Sequence, residues 1–174
     1  MKTQIELSLK VIATFIAAFG VWKYFDDRAT SALAAQQAQS LGYIQRFGAD
    51  DLLEARGRLL QYWQDYPDFA DFVADNAISP RAYTNFVNAT YPNRLDRAEV
   101  DRDLFAVQVF FDEVAYCRRS GVCDPAILDA FFCDHVTRYA AIYGPFYTRL
   151  SADIGAAPID ANLQWLASTC AKQG

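Results

Sequence analysis

Cysteine, aspartate and histidine side chains stand next to one another in one stretch of this sequence, Cys133-Asp134-His135. Thiolate, carboxylate and imidazole groups are all zinc ligands, so this stretch is the first candidate for a metal site. Consecutive residues of a helix point about 100° apart, however, and cannot converge on one ion. Zinc sites also repeat their ligands at short spacings, whereas this chain has one histidine. We therefore expect His135, on the apolar face of its helix, to be a hydrogen-bonded core residue.

Two neighbouring carboxylates, Asp112 and Glu113, are the second candidate for chemistry. A carboxylate pair can perform general acid–base catalysis when one of its members is desolvated. We favour a simpler interpretation, an ion pair with an arginine, because buried acids are usually neutralised in this way. The candidate partners are Arg118, Arg119 and Arg138.

The signature motifs of common enzyme families are absent from the sequence. It contains no G-x-S-x-G, no H-E-x-x-H, no phosphate-binding loop and no G-x-G-x-x-G. We predict a non-enzymatic protein with no cofactor, no bound metal and no small-molecule substrate. The alternative is a small enzyme or metal-binding head that uses Asp112, Glu113, Cys133 and His135.

The cysteines bear on the compartment in which the protein folds, and they are Cys117, Cys123, Cys133 and Cys170. Cys117 and Cys123 bracket a short turn between two apolar helices and are close enough in sequence to form a disulfide across it. Cys133 and Cys170 are then left to form a second one. An even number of cysteines fits an oxidising compartment, although free cysteine is also a common small buried residue.

Helices must position these residues, because no long segment shows the alternation of apolar and polar residues that predicts a strand. The chain has 174 residues, 53% of them hydrophobic, with 13 Phe, 10 Tyr and 3 Trp. This composition excludes a disordered chain, since it supplies enough apolar surface to offset the entropy cost of folding. We predict an all-α fold, in which an N-terminal transmembrane helix continues into a stalk and is followed by a compact bundle of five or six helices.

Capping residues and prolines predict where the later helices begin and end. Ser79-Pro80 and Asp124-Pro125 each combine an N-cap residue with proline at the first helical position. Gly121 is a helix C-cap, and Gly144-Pro145 is expected to kink or interrupt the helix that contains it. On the helix that begins near Asp50, one face is expected to carry Leu52, Leu53, Leu59, Leu60 and Trp63. A further apolar turn is expected at Phe69, Phe72 and Val73.

The N-terminal segment differs from the rest of the chain because its centre, residues 11–22, is uncharged. As a helix this run rises only about 18 Å, but residues 5–25 reach about 31 Å, enough to cross a bilayer if Lys10 extends toward the interface. Trp22 and Tyr24 then lie where interfacial aromatic residues are found. We predict a single membrane span whose anchor residues are Val11, Phe15, Phe19, Trp22 and Tyr24.

Two other interpretations of this segment stay open. A cleaved signal peptide would use the same apolar run, with Ala32-Leu33-Ala34 as its cleavage site. Against it, four charged residues lie between the run and that site, which is long and polar for a signal peptide. A buried core helix is the other interpretation, since apolar runs of this length are common in protein cores.

We divide the chain into a membrane anchor at residues 1–28, a helical stalk at residues 29–48 and a head domain at residues 49–174. From Ala29 onward, 12 Lys and Arg stand against 18 Asp and Glu. An acidic head repels phosphate backbones, so nucleic acid is not an expected partner. Lysine and arginine are equally frequent on both flanks of the anchor, and the N-terminal amine slightly favours the N-in orientation.

The stretch VQVFFDEVAY at residues 107–116, with Gly121, Asp124 and residues 131–150, resembles an uncharacterised family of bacterial membrane-anchored helical proteins. That family has one N-terminal transmembrane helix and a helical domain of unknown function. The residues of this chain that correspond to its central hairpin are Glu113, Gly121, Asp124 and Arg149. The resemblance implies a bacterial inner-membrane protein and no established activity. We expect an accessory or assembly subunit of a larger integral membrane protein complex, with a periplasmic head or, alternatively, a cytoplasmic one.

Overall fold

A computed structural model describes residues 2–64, 66 and 79–172, and of residues 2–14 it describes the backbone alone. Across these residues the chain is all-α and contains no strand, which confirms the all-α part of the predicted fold class. The helices are α1 (Lys2–Phe47), α2 (Asp50–Gln64), α3 (Pro80–Thr90), α4 (Arg97–Ser120), α5 (Pro125–Ile154) and α6 (Ala161–Cys170), with a 3-10 turn at Tyr91–Asn93.

The predicted helix boundaries are found where the capping residues stand. The Ser79 hydroxyl accepts a hydrogen bond from the backbone N–H of Ala82 at 3.2 Å, and α3 begins at the following proline. The Asp124 carboxylate likewise accepts from the N–H of Ala126 at 2.9 Å at the start of α5. Gly121 ends α4 with a φ of 69°, a left-handed conformation that glycine adopts without steric cost.

Pro145 lies inside α5, which continues through it to Ile154, so of the kink or interruption predicted at Gly144-Pro145 the interruption does not occur. The proline removes one backbone donor, yet the tyrosine and phenylalanine side chains that follow are buried and hold the next turns in place. The apolar turn expected at Phe69, Phe72 and Val73 lies outside the described residues.

Helix α1 is one continuous element of 46 residues, about 69 Å long at 1.5 Å per residue. Its residues 15–35 are all exposed. Contact with the head begins at Gln36, whose side-chain amide donates to the carbonyl of Gly121 at 2.7 Å. Ser40 is buried beside Asp124, and Phe47 is buried in the core. The last three turns of α1 therefore pack on the head, and the preceding part projects from it.

None of the helices in the described part of the chain combines the length and the apolar character that crossing a membrane requires. Of the predicted anchor residues, Val11 lies where the structure describes backbone only. The side chains of the other four are each more than half exposed, and they are Phe15, Phe19, Trp22 and Tyr24. Residues 15–25 do not pack in the core of the head, which argues against the interpretation of this segment as a core helix.

Helix α4 is the centre of the head, because α2, α5 and α6 all pack against it. The core between them is mainly aromatic, and its buried aromatic side chains on α4 and α5 are Phe110, Phe111, Phe132, Tyr143, Phe146 and Tyr147. The Tyr147 hydroxyl donates to the backbone carbonyl of Leu104 at 2.9 Å, so its polar end is satisfied inside the core. Each fully buried Phe of this kind stabilises the fold by about 1.5–3 kcal/mol relative to an exposed one.

Candidate functional site

The two carboxylates singled out by the sequence point to different neighbours. Glu113 forms an ion pair with Arg46 of α1. Asp112 accepts hydrogen bonds at 2.8 Å from the side-chain amides of Gln108 and Asn162. An ion pair was expected, and Glu113 makes one, but its partner is on α1 and is none of the three arginines proposed. The two carboxylates thus do not share a site as a catalytic pair would.

His135 lies on the apolar face of α5 and is half-buried rather than in the core as expected, with its ring centroid 4.9 Å from that of Phe47 and 5.5 Å from that of Phe131. Burial lowers the pKa of His135, and the nearby Arg56 guanidinium lowers it further. The lowered pKa favours the neutral imidazole at neutral pH. The hydrogen-bond partner expected for His135 is not found among the described residues.

The four cysteines form two pairs at disulfide-bonding distance, as the sequence allowed. Cys117 and Cys123 are buried at the α4–α5 turn, and their Cα atoms are 5.3 Å apart. Cys133 of α5 and Cys170 of α6 are also 5.3 Å apart at Cα. Each predicted pairing is therefore found in the structure.

Asp129 lies beside the second cysteine pair, and its ligand atom and the two sulfurs are within 4.8 Å of one another. This grouping resembles a metal site in composition. The Cys133 and Cys170 sulfurs are bonded to each other, however, and a disulfide does not supply the thiolate that zinc requires. The Asp129 carboxylate also accepts two hydrogen bonds of 2.8 Å from Arg118. We therefore interpret this grouping as a disulfide next to an ion pair, both of which join helices of the head, and not as a metal site.

An open groove of about 300 Å³ lies between α2 and α5. Helix α2 contributes Leu53, Arg56, Gly57 and Leu60, and helix α5 contributes His135, Arg138, Tyr139, Ile142 and Tyr143. We refer to these nine residues as the α2–α5 groove. The exposed fractions of Leu53, Leu60 and Ile142 are 51%, 63% and 39%, so apolar side chains face solvent along both walls.

Exposed leucines on α2 correct one expectation from the sequence. Leu52 and Leu59 are buried, as predicted, whereas Leu53 and Leu60 are exposed and do not share their face. Helix α2 packs mainly against α4, and successive residues of a helix point about 100° apart, so one leucine of each adjacent pair is buried and the other faces solvent. The groove was missed for this reason, although the spacing of Leu53, Gly57 and Leu60 at i, i+4 and i+7 was visible in the sequence.

Arg56 is held rigidly at the floor of the groove. Its Nε donates to the Tyr139 hydroxyl at 3.1 Å and its Nη1 donates to the Phe47 carbonyl at 2.9 Å. Its guanidinium carbon also lies 3.7 Å from the centroid of the Phe47 ring, a cation–π contact. Three interactions therefore fix this cation between α1, α2 and α5.

The α2–α5 groove is basic in an otherwise acidic protein. Its lining includes two arginines and a histidine and has no acidic residue among those described. Arg138 is 72% exposed at its side chain and pairs with Asp134, which is 69% exposed and outside the groove lining. Burial raises the pKa values of the Tyr139 and Tyr143 hydroxyls, so both stay neutral at physiological pH. The groove thus combines apolar walls with two arginines, one of which pairs with an acid outside the lining.

No protein-family model matches this chain, and searches of curated proteins and of solved structures also found no match. The resemblance to bacterial single-span membrane proteins therefore stays a prediction.

Proposed function

We propose that the protein is a single-pass membrane-anchored subunit that docks on a larger integral membrane protein complex in the bacterial inner membrane. The observation that carries the proposal is the free part of α1, residues 15–35, in which every side chain is exposed. Phe15, Phe19 and Trp22 are 72%, 61% and 62% exposed there. Clustered exposed aromatic residues are typical of membrane-binding or protein-binding surfaces.

The apolar side chains of this segment surround the helix, which favours lipid over a single partner helix. Phe15, Ile16 and Val21 point in directions at least about 100° apart, and all three are more than half exposed. A coiled-coil partner covers one narrow stripe of a helix, whereas a helix that is apolar on all sides needs a surrounding apolar medium. We infer that the N-terminal half of α1 lies in a bilayer.

The length of α1 supports the same placement. Residues 5–25 can span about 31 Å, and residues 26–35 add about 15 Å of exposed helix before the head begins at Gln36. Thr30 and Ser31 in this interval donate hydrogen bonds to carbonyls one turn earlier, at 2.9 Å and 2.8 Å, so their hydroxyls are satisfied without a partner protein. The exposed interval would hold the head clear of the membrane surface.

A periplasmic head is the placement that the cysteines favour. Both cysteine pairs are at disulfide-bonding distance, and such bonds form and persist in oxidising compartments. Labelling of intact cells with a membrane-impermeant thiol reagent, after reduction, checks this placement. We expect Cys133 and Cys170, the less buried pair, to be labelled from outside the cell after reduction and not before it. Labelling without prior reduction, or only after the inner membrane is opened, would contradict a periplasmic disulfide-bonded head.

The proposed subunit role is tested by purifying the full chain from membranes in a mild detergent and measuring its mass in the native state. We expect a stable assembly with other membrane proteins in fixed ratio, because a docked subunit co-purifies with its complex. A monodisperse, partner-free protein after gentle extraction would count against the proposal.

A further inference from the structure

The two walls of the α2–α5 groove match each other in length. Leu53, Gly57 and Leu60 follow one another at i, i+4 and i+7 along α2, a rise of about 10 Å. The opposite wall is formed by His135, Arg138 and Ile142 at i, i+3 and i+7 along α5. Two walls of equal length, two turns each, accommodate a helix that presents apolar side chains at the same spacing.

Gly57 opens the middle of the α2 wall. A Cβ atom built at this position meets no heavy atom within 4 Å. The two exposed leucines that flank it therefore border a gap that a side chain of an incoming helix can enter, as in ridges-into-grooves packing. Exposure of these leucines to water is unfavourable, and a partner that buries them gains free energy, so such a surface is typical of a binding site.

Charge identifies the kind of helix. The cations at the groove are Arg56 and Arg138, and the lining has no acidic residue among those described, although Asp134 beside the lining pairs with Arg138. The chain as a whole carries a net charge of −5. A second copy would bring the same cations to a groove-to-groove contact, which disfavours symmetrical pairing. An acidic amphipathic helix is the complementary partner.

The position of the groove along α1 favours a protein over a lipid as the occupant. The rings of His135 and Phe47 are 4.9 Å apart, which places the groove level with Phe47. Phe47 lies 22 residues after Phe25, the end of the proposed span, or about 33 Å along the helix. Acyl chains do not extend that far from a bilayer, so the occupant belongs to the extramembrane part of a partner.

We propose that the α2–α5 groove binds an acidic amphipathic helix, about two turns long, from the extramembrane part of the partner complex. The inference rests on the proposed function, because it names the surface through which the anchored head docks. Apolar residues of the partner cover Leu53, Leu60 and Ile142. Acidic residues at its edges pair with Arg138 and the accessible face of Arg56.

Site-specific photo-cross-linking of the full chain in its native membranes tests this proposal. Benzoylphenylalanine is placed at position 57, and a matched variant carries it at position 42, another exposed helical glycine with no heavy atom within 4 Å of a built Cβ. We expect position 57 to form an adduct with one partner protein and position 42 to form none. The adduct, mapped by mass spectrometry, should lie in a helix with acidic residues beside apolar ones at i, i+3 or i+4, and i+7.

Charge reversal gives the second readout. Arg138→Glu should lower the yield of the adduct at position 57 about tenfold, because it sets like charges against each other across the interface. Arg81→Glu, at an exposed arginine on α3, should leave the yield unchanged. Equal yields from both variants would overturn the electrostatic part of the proposal.

Other outcomes at position 57 overturn the inference. Adducts with lipid, with a second copy of this chain or with a basic segment each assign the groove to a different occupant, and an absence of adducts leaves it without a ligand. Native gels of the same membranes separate this failure from that of the proposed function. If the complex forms without an adduct at position 57, the groove assignment is wrong and the subunit role stands. If neither the complex nor the adduct is found, both the groove assignment and the subunit role are wrong.

Discussion

Arg118 and Asp129 form the best shielded ion pair whose two partners lie on the facing helices α4 and α5. Their side chains are 16% and 15% exposed, and two hydrogen bonds of 2.8 Å join them. The Asp129 carboxylate raises the pKa of Arg118, so the arginine stays charged. Arg118→Met removes the cation from a largely buried carboxylate, and we expect a loss of about 2 kcal/mol in the free energy of unfolding. Urea unfolding measures it.

The exposed pair of Arg138 and Asp134 is the control for that substitution. Both side chains are about 70% exposed, and they lie one turn apart on α5. Arg138→Met should change the free energy of unfolding by no more than about 0.5 kcal/mol, because solvent screens an exposed pair. Equal losses in the two variants would show that burial does not set the strength of these pairs.

His135 gives the head a dependence of stability on pH. Burial and Arg56 lower its pKa in the folded state, partly offset by Asp134, so as the pH falls the unfolded chain binds a proton at about pH 6.5 before the folded one does. The free energy of unfolding should therefore fall between pH 7 and pH 5. In His135→Gln the fall over the same interval should be smaller, as measured by the urea midpoints at the two pH values. Identical falls in both proteins would mean that His135 does not titrate differently on folding.

At the scale of helices, the two cysteine pairs should differ in their effect on stability. The Cys133–Cys170 pair joins α5 to α6 across 37 positions, whereas the Cys117–Cys123 pair closes a turn of 6 positions. Loop-closure entropy predicts a loss of about 4 kcal/mol for the first pair and about 2 kcal/mol for the second when each is replaced by alanines. Urea unfolding of the two double variants checks the order, and a larger loss for the shorter loop would contradict the entropic explanation.

Helix boundaries were predictable because they depend on neighbours in sequence. Ser79-Pro80, Asp124-Pro125 and Gly121 act on the backbone within one turn, and each marks a helix end in the structure. At Pro145 the helix is not interrupted, because packing of the following buried residues outweighs the one lost hydrogen bond. Local sequence signals thus predict where helices begin and end. Tertiary packing decides whether a helix continues through a residue that would otherwise break it.

How the helices pack against one another could not be predicted from the sequence. Phe47 was expected in the stalk, but α1 brings it into the aromatic core of the head, where its ring contacts Phe110, Phe132 and His135. Leu53 and Leu60 were expected in a core face and instead line a groove. Both outcomes depend on how α1, α2 and α5 meet α4, which residue spacing along one helix does not specify.

At the scale of the whole molecule, the proposed membrane anchoring requires that lipid surrounds the free half of α1. The direct test is extraction of membranes with alkaline carbonate, which releases peripheral proteins and retains spanning ones. The full chain should stay in the pellet, and Phe19→Asp should shift it to the soluble fraction, because a carboxylate near the middle of a span costs about 2.5–3.5 kcal/mol. Leu33→Asp, at an exposed leucine beyond the span, should stay in the pellet. Release of the unmodified chain by carbonate would contradict the membrane-anchored subunit proposed here.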